Sequence, residues 1–128
     1  MPTELRVYDD SFKAENDLSA KQFYCMELSA ADQVDVCDNA ADVPIGILQN
    51  KPTAGREAQV RVLGRSRAVS DGSGTAIVVG DPLKTSSGGK VIKAATDKDW
   101  AIGRALSAST ADGTVIDVLL TGGFYMGV

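Results

Sequence analysis

The sequence predicts a mainly β domain: a small β-sandwich or barrel of two pseudo-repeated units, with an extended N-terminal arm. Three observations carry this. From residue 21 onward, short apolar or alternating runs are separated by turns rich in Gly, Asp and Ser. The order of those runs occurs twice, at a shift of 57 and then 56 residues. The first 20 residues are polar and lack sustained periodicity. The expected organisation is an arm over 1–20 and a single β domain over 21–128, with units at about 21–64 and 80–122.

The arm holds one short apolar patch, Leu5, Val7 and Tyr8. It reads either as a frayed terminus or as a segment that orders on a neighbouring subunit. Phe23 to Leu28 suits a strand, Ser29 to Asp32 a turn, and the alternating Gln33 to Cys37 a returning strand. Asp38 to Asp42 is a polar loop, and Pro44 to Leu48 a short apolar strand. After the turn at Thr53-Ala54-Gly55, Ala58 to Leu63 is a strand with one polar face, and Arg67 to Val69 continues or follows it. Ser70 to Gly74 is dense in turn residues. Thr75 to Val79 is apolar and rich in β-branched residues, which predicts a buried strand that Gly80-Asp81-Pro82 ends. The pattern then returns. Leu83 to Thr85 and Lys90 to Lys93 flank a Ser-Ser-Gly-Gly turn, Ala94 to Asp99 is a polar loop, and Trp100 to Leu106 and Thr114 to Leu120 are strands. Phe124, Tyr125 and Met126 close the chain.

In the repeat, Met26 falls on Leu83, Val34 on Val91 and Ile45-Gly46 on Ile102-Gly103; after one deletion, Val60 to Leu63 falls on Ile116 to Leu119. Neither unit alone could keep its apolar face dry. Packed together they bury both faces, with residues 65–79 as the bridge.

Composition narrows the chemistry. The chain has 128 residues, 44% hydrophobic, the size of one domain. No apolar run is long enough to span a bilayer, so no membrane association is expected. Met1 to Arg6 lacks the basic start and apolar core of a signal peptide, so synthesis and folding in a cytoplasm are expected. A net charge of −4 argues against nucleic acid as a partner. Histidine is absent, which removes the commonest general base and metal ligand.

The remaining candidates have ordinary explanations. Cys25 and Cys37 sit opposite each other if the first hairpin centres on Ala31; two small buried thiols are expected in a reducing compartment. Asp32, Asp35, Asp38 and Asp42 do not match the spacing of an EF-hand, and a solvated acidic loop is expected rather than a metal site. The Gly-rich stretches lack the Lys-Ser or Lys-Thr of a phosphate loop, and no nucleophile elbow appears. No enzyme activity, cofactor or small-molecule substrate is therefore expected. Arg61, Arg65 and Arg67 share one parity, so a strand continuing through Gly64 would carry them as an outward row. Such a row is either a solvated face or a docking stripe for acidic groups, with the acidic arm of the same or a neighbouring chain as one candidate.

Three stretches resemble the capsid decoration, or cement, proteins of tailed bacteriophages. They are Pro44 to Ile47 leading through Ala54-Gly55 into Val60 to Gly64; Ala76 to Leu83 followed by Gly88 to Val91; and Ala101 to Leu106 followed by Asp112-Gly113 and Val115 to Leu120. The resemblance spans about residues 44–122 and rests on composition rather than on a chemical motif. It implies a structural virion protein, often trimeric, that binds the outside of an assembled shell between capsomers, with the major capsid protein as partner. It implies no reaction and no cofactor. Expected capsid or subunit contacts are Leu5, Val7, Tyr8 and Phe12 of the arm, the row Arg61, Arg65 and Arg67, and the terminal Phe124 and Tyr125. The alternative is another phage β-rich module, from a tail or baseplate or binding a host glycan; the few aromatics weigh against a glycan platform.

Overall fold

The computed structural model describes residues 6–95 and 99–125, and among these every regular element is a strand. The strands are β1 (Arg6–Ala14), β2 (Cys25–Ala30), β3 (Gln33–Val36), β4 (Gly46–Leu48), β5 (Glu57–Asp71), β6 (Pro82–Thr85), β7 (Val91–Lys93), β8 (Trp100–Ala105) and β9 (Asp112–Tyr125). The mainly β fold class is thus observed.

The strands close on themselves twice. β1, β3, β2, β4 and β5 pair in that order, and β1 returns to pair with the first half of β5. β5, β7, β6, β8 and β9 pair in that order, and β9 returns to the second half of β5. Two five-stranded circuits therefore share one long strand, which removes most open sheet edges. The counterpart of β1 in the second circuit is the second half of β5. β1 runs parallel to β3 (Lys13 beside Gln33), as β5 runs parallel to β7 (Ser70 beside Val91).

Side-chain alternation along these strands produces two cores. Met26, Val34, Leu48, Ala58 and Val60 point into the first circuit, where Ala14 and Leu18 join them. The residues of opposite parity, Cys25 and Ile47, point the other way and join Leu83, Val91, Ile102, Ile116 and Val118 of the second circuit. Strand β4 and the start of β2, Cys25 and Met26, are thus apolar on both faces because both faces are covered there. At the joint, the Cys25 amide donates to Gly89 O (2.8 Å) in the β6–β7 turn. A side chain at Gly89 would collide with Val36 and Tyr24, and its φ of 83° already favours glycine. Phe23 also spans the joint: its N–H donates to Leu48 O and its carbonyl accepts from Val69 N–H, at a φ of 70° that costs a non-glycine residue about 1–3 kcal/mol.

The recurring Ile-Gly dipeptide has a steric cause. A Cβ at Gly46 would run into the Arg61 carbonyl of β5, and one at Gly103 into the Leu119 carbonyl of β9. Each short strand lies so close on the long one that only hydrogen fits.

Three elements differ from the sequence expectation. Residues 6–14 of the expected arm form β1, antiparallel to β5 with Ser11 opposite Gln59 and Phe12 opposite Ala58. Their apolar pattern is short because, among the described side chains of the strand, only Phe12 and Ala14 pack on the first core, while the side chain of polar Asp9 is buried on the other side. The 65–79 bridge is half strand, since β5 runs unbroken through Gly64 to Asp71. Thr75–Val79 is not a buried strand. Ile77 alone is buried, forming a single bridge with Ser109, while Val78 and Val79 face solvent. The second circuit is already closed by β5 and β9, so the segment has no ladder to join.

Candidate functional site

The candidate sites are surfaces, and their character depends on which charged side chains are used up internally. Arg61 is opposite Ile47 on one side and Asp9 on the other, so Cys25, Ile47, Arg61 and Asp9 form one row on the joint-facing side of the sheet. Arg61 is consequently only 6% exposed. Its Nε and Nη2 donate to the two Asp9 carboxylate oxygens at 2.8 and 3.2 Å, and its Nη1 donates to Arg65 O at 2.9 Å. This corrects the expected outward row. The acidic partner of Arg61 comes from the N-terminal segment of the same chain, and the guanidinium lies inside.

Arg65 and Arg67 do lie on the outer side of β5. Arg65 is half-buried and pairs with Asp117 at 3.1 Å, and Arg67 is exposed opposite Asp117. Around them the outer β5–β9–β8 face carries exposed Leu119, Val115 and Arg104. Tyr8 is half-exposed on β1 with its hydroxyl donating to Asp10, and Phe12 packs partly against the first core. Val7 lies in β1, and Phe124 and Tyr125 end β9 opposite Ala101 and Trp100. Leu5 and Met126 fall outside the described residues. The expected contacts are therefore spread over at least two faces rather than gathered in one site.

The two thiols are neighbours, free and buried, with the Cys37 amide donating to Cys25 O at 3.0 Å. Burial pushes the Cys25 thiol up to about 12 and Cys37 higher still, against a smaller pull from the Thr85 side chain. Neither is a nucleophile at neutral pH.

The acidic residues regroup. Asp35 accepts from Asn16 Nδ2 at 3.0 Å, and Asp32 sits at the β2–β3 turn with a φ of 56°. Asp38 and Asp42 instead meet Glu27 of β2, with ligand oxygens all within 4.8 Å. Glu27 was missed by sequence reasoning because it lies in a strand eleven residues before Asp38. Desolvation first, and then hydrogen bonding and repulsion from Asp42, push its carboxyl up to about 7. The cluster thus relieves its own repulsion by retaining a proton near neutral pH.

Beside it, an apolar groove of about 260 Å³ opens where the two circuits meet, lined by Val43, Pro44, Val62, Trp100, Ile102 and Leu120.

No curated protein matches. Among solved structures, the chain is similar to the head fiber gp8.5 N base of bacteriophage phi29, with a TM-score of 0.61 and 16% identity over 89% of this chain and 93% of that one. At that identity the likeness establishes a shared fold. The phage cement protein profile matches residues 6–120, from β1 into β9 and across both circuits. The chain belongs to the phage cement proteins, structural proteins that bind a phage capsid and stabilise it.

Proposed function

We propose that this protein binds the outer surface of an assembled phage shell between capsomers, contacting the major capsid protein as a homotrimer. The observation that carries this reading is the cement-family match over residues 6–120. The fold fits a scaffold role, since Phe23 and Gly89 fix the joint and Gly46 and Gly103 fix the strand crossings. Stabilisation is by linkage. A protein that binds the closed shell and not its separated capsomers favours the closed shell by its binding free energy. Three linked copies multiply weak contacts through their high effective concentration.

The proposed shell contacts are the β5–β9 face, with Arg65, Arg67 and Leu119, and the exposed parts of Tyr8 and Phe12 on β1. Arg67 and its neighbours suit an acidic capsid surface, because a guanidinium binds a carboxylate through two parallel hydrogen bonds. Arg61 contributes by holding β1 in place.

The test is sedimentation of the purified protein with expanded, empty shells of the cognate phage. Saturable binding in proportion to the number of capsomer junctions is expected. Absence of binding to the cognate shell would sink the reading. An Arg65→Glu, Arg67→Glu variant should bind on the order of 100-fold more weakly at low salt, with the gap to the unaltered protein narrowing as salt screens the charges. Full binding by that variant removes the β5–β9 face from the proposal.

A further inference from the structure

Val78 and Val79 are 58% and 62% exposed, side by side, on the connection between β5 and β6. The backbone beneath them is firmly held. Ile77 exchanges two hydrogen bonds with Ser109, the Val78 amide donates to Asp81 Oδ2 (2.8 Å), the Gly80 amide donates to Ala105 O (2.8 Å), and Arg104 Nη1 donates to Gly80 O (3.0 Å). Two β-branched side chains with restricted χ1 on a pinned loop form a preordered apolar knob. Exposed Leu106 follows the strand that anchors it.

The Val43–Trp100–Leu120 groove has the matching character: apolar walls, with Asp42 of the Glu27–Asp38–Asp42 cluster immediately before Val43 in the chain. At the knob's base Asp81 is paired with Lys93 at 3.9 Å, and the exposed Arg104 there carries the charge opposite to that cluster. The knob is pinned to the Ala105 end of β8 and the groove lies along its Trp100–Ile102 half, about 10 Å away or more, so the anchored knob of a copy cannot fill its own groove.

We propose that the Val78–Val79 knob of one copy seats in the Val43–Trp100–Leu120 groove of a second copy, with Arg104 of the first against the acidic cluster of the second. The inference rests on the self-association proposed above and names its surfaces. Because knob and groove are different patches, the contact is head-to-tail, and such a contact forms closed rings when its rotation closes. Closure at three copies gives the trimer. The paired apolar and charged features also explain why two valines are held in water in a lone chain, where burial would be favourable.

Complementation tests this with the full chain. Val78→Asp with Val79→Asp removes the knob, and Val43→Lys blocks the groove; all three positions are exposed, so the fold should persist, checked by circular dichroism. By sedimentation equilibrium, the unaltered protein should self-associate, and each variant should do so on the order of 100-fold more weakly. Mixed, the two variants retain one intact knob and one intact groove, so they should form a heterodimer and nothing larger. A misfolded variant could not complement. The proposal is overturned if the unaltered protein stays monomeric, if the knob variant assembles normally, or if the mixture does not associate. It is also overturned if the knob variant loses shell binding while keeping its self-association, which would assign the knob to the capsid. Shell binding of the unaltered protein, measured separately, tests the capsid reading without affecting this one.

Discussion

Replacing Asp9 by Ala probes the balance that holds the N-terminal strand on the domain. Asp9 and Arg61 have side chains only 9% and 7% exposed, and their closest contact is 2.8 Å. Removing one partner of a buried pair leaves the other charge in a poorly hydrated site, which costs about 3–5 kcal/mol. An exposed pair would cost no more than about 1 kcal/mol. A chain of 128 residues has a total stability of about 6–19 kcal/mol, so the expected loss is a substantial share of it. The assay is urea unfolding at pH 7, followed by circular dichroism. Asp9→Asn, which keeps the shape and one acceptor, should lose less than Asp9→Ala. The joint replacement Asp9→Leu with Arg61→Met should recover most of the loss, because it removes both charges and fills the apolar row beside Ile47. A loss below about 1 kcal/mol for Asp9→Ala would refute the reasoning. So would a double variant whose loss equals the sum of the two single losses, because contacting partners must couple.

The other predictions rest on separate features. Gly46→Ala and Gly103→Ala should each destabilise by about 1–3 kcal/mol in the same assay, since the added methyl meets a backbone carbonyl that cannot move aside; Gly74→Ala, with open space around it, is the control and should change little. Glu27 titrates at about 7 when folded, above its value of 4.5 in an unfolded chain, so the folded state holds the extra proton between those pH values. Stability should therefore fall as pH rises through that window, and Glu27→Gln should abolish this component. At pH 8 the variant should be the more stable by about 1 kcal/mol, after discounting for solvent screening, and equal denaturant midpoints would contradict the assignment. Cys25 and Cys37 should resist an aromatic disulfide reagent in the native protein at pH 8 and react fully in denaturant, because burial raises both thiols above the reaction pH; rapid native labelling would show that the joint opens.

Some of this architecture could be read from residue order, and some could not. The β2–β3 hairpin was legible because Gln33 to Cys37 alternates and the turn residues are local; the observed register, Met26 opposite Val36, centres on Ala31. The Ile-Gly pairs were visible as a recurrence, but their cause, a carbonyl pressed against each glycine, is a long-range contact. Thr75–Val79 misled because β propensity describes side chains that fit a sheet, and here no sheet edge was available to receive them. The arginine row misled for a related reason. Parity places Arg61 on one side of β5 but does not say whether another strand covers that side. Glu27 escaped notice because clustering with Asp38 and Asp42 depends on how a strand and a loop meet in space.

The sequence by itself determined the fold class, the absence of histidine chemistry, the turns and the family resemblance, because alternation, turn residues and composition are written locally. The tertiary structure alone decided that β5 is common to two closed circuits, that residues 6–14 complete the first of them, and that β4 and the start of β2 are buried on both faces. It also decided which charges remain outside: Asp9 takes Arg61 into the joint, while Arg67 and Arg104 stay at the surface. These outcomes rest on pairings between residues some fifty positions apart, and local pattern constrains the face a side chain takes without constraining what will cover it.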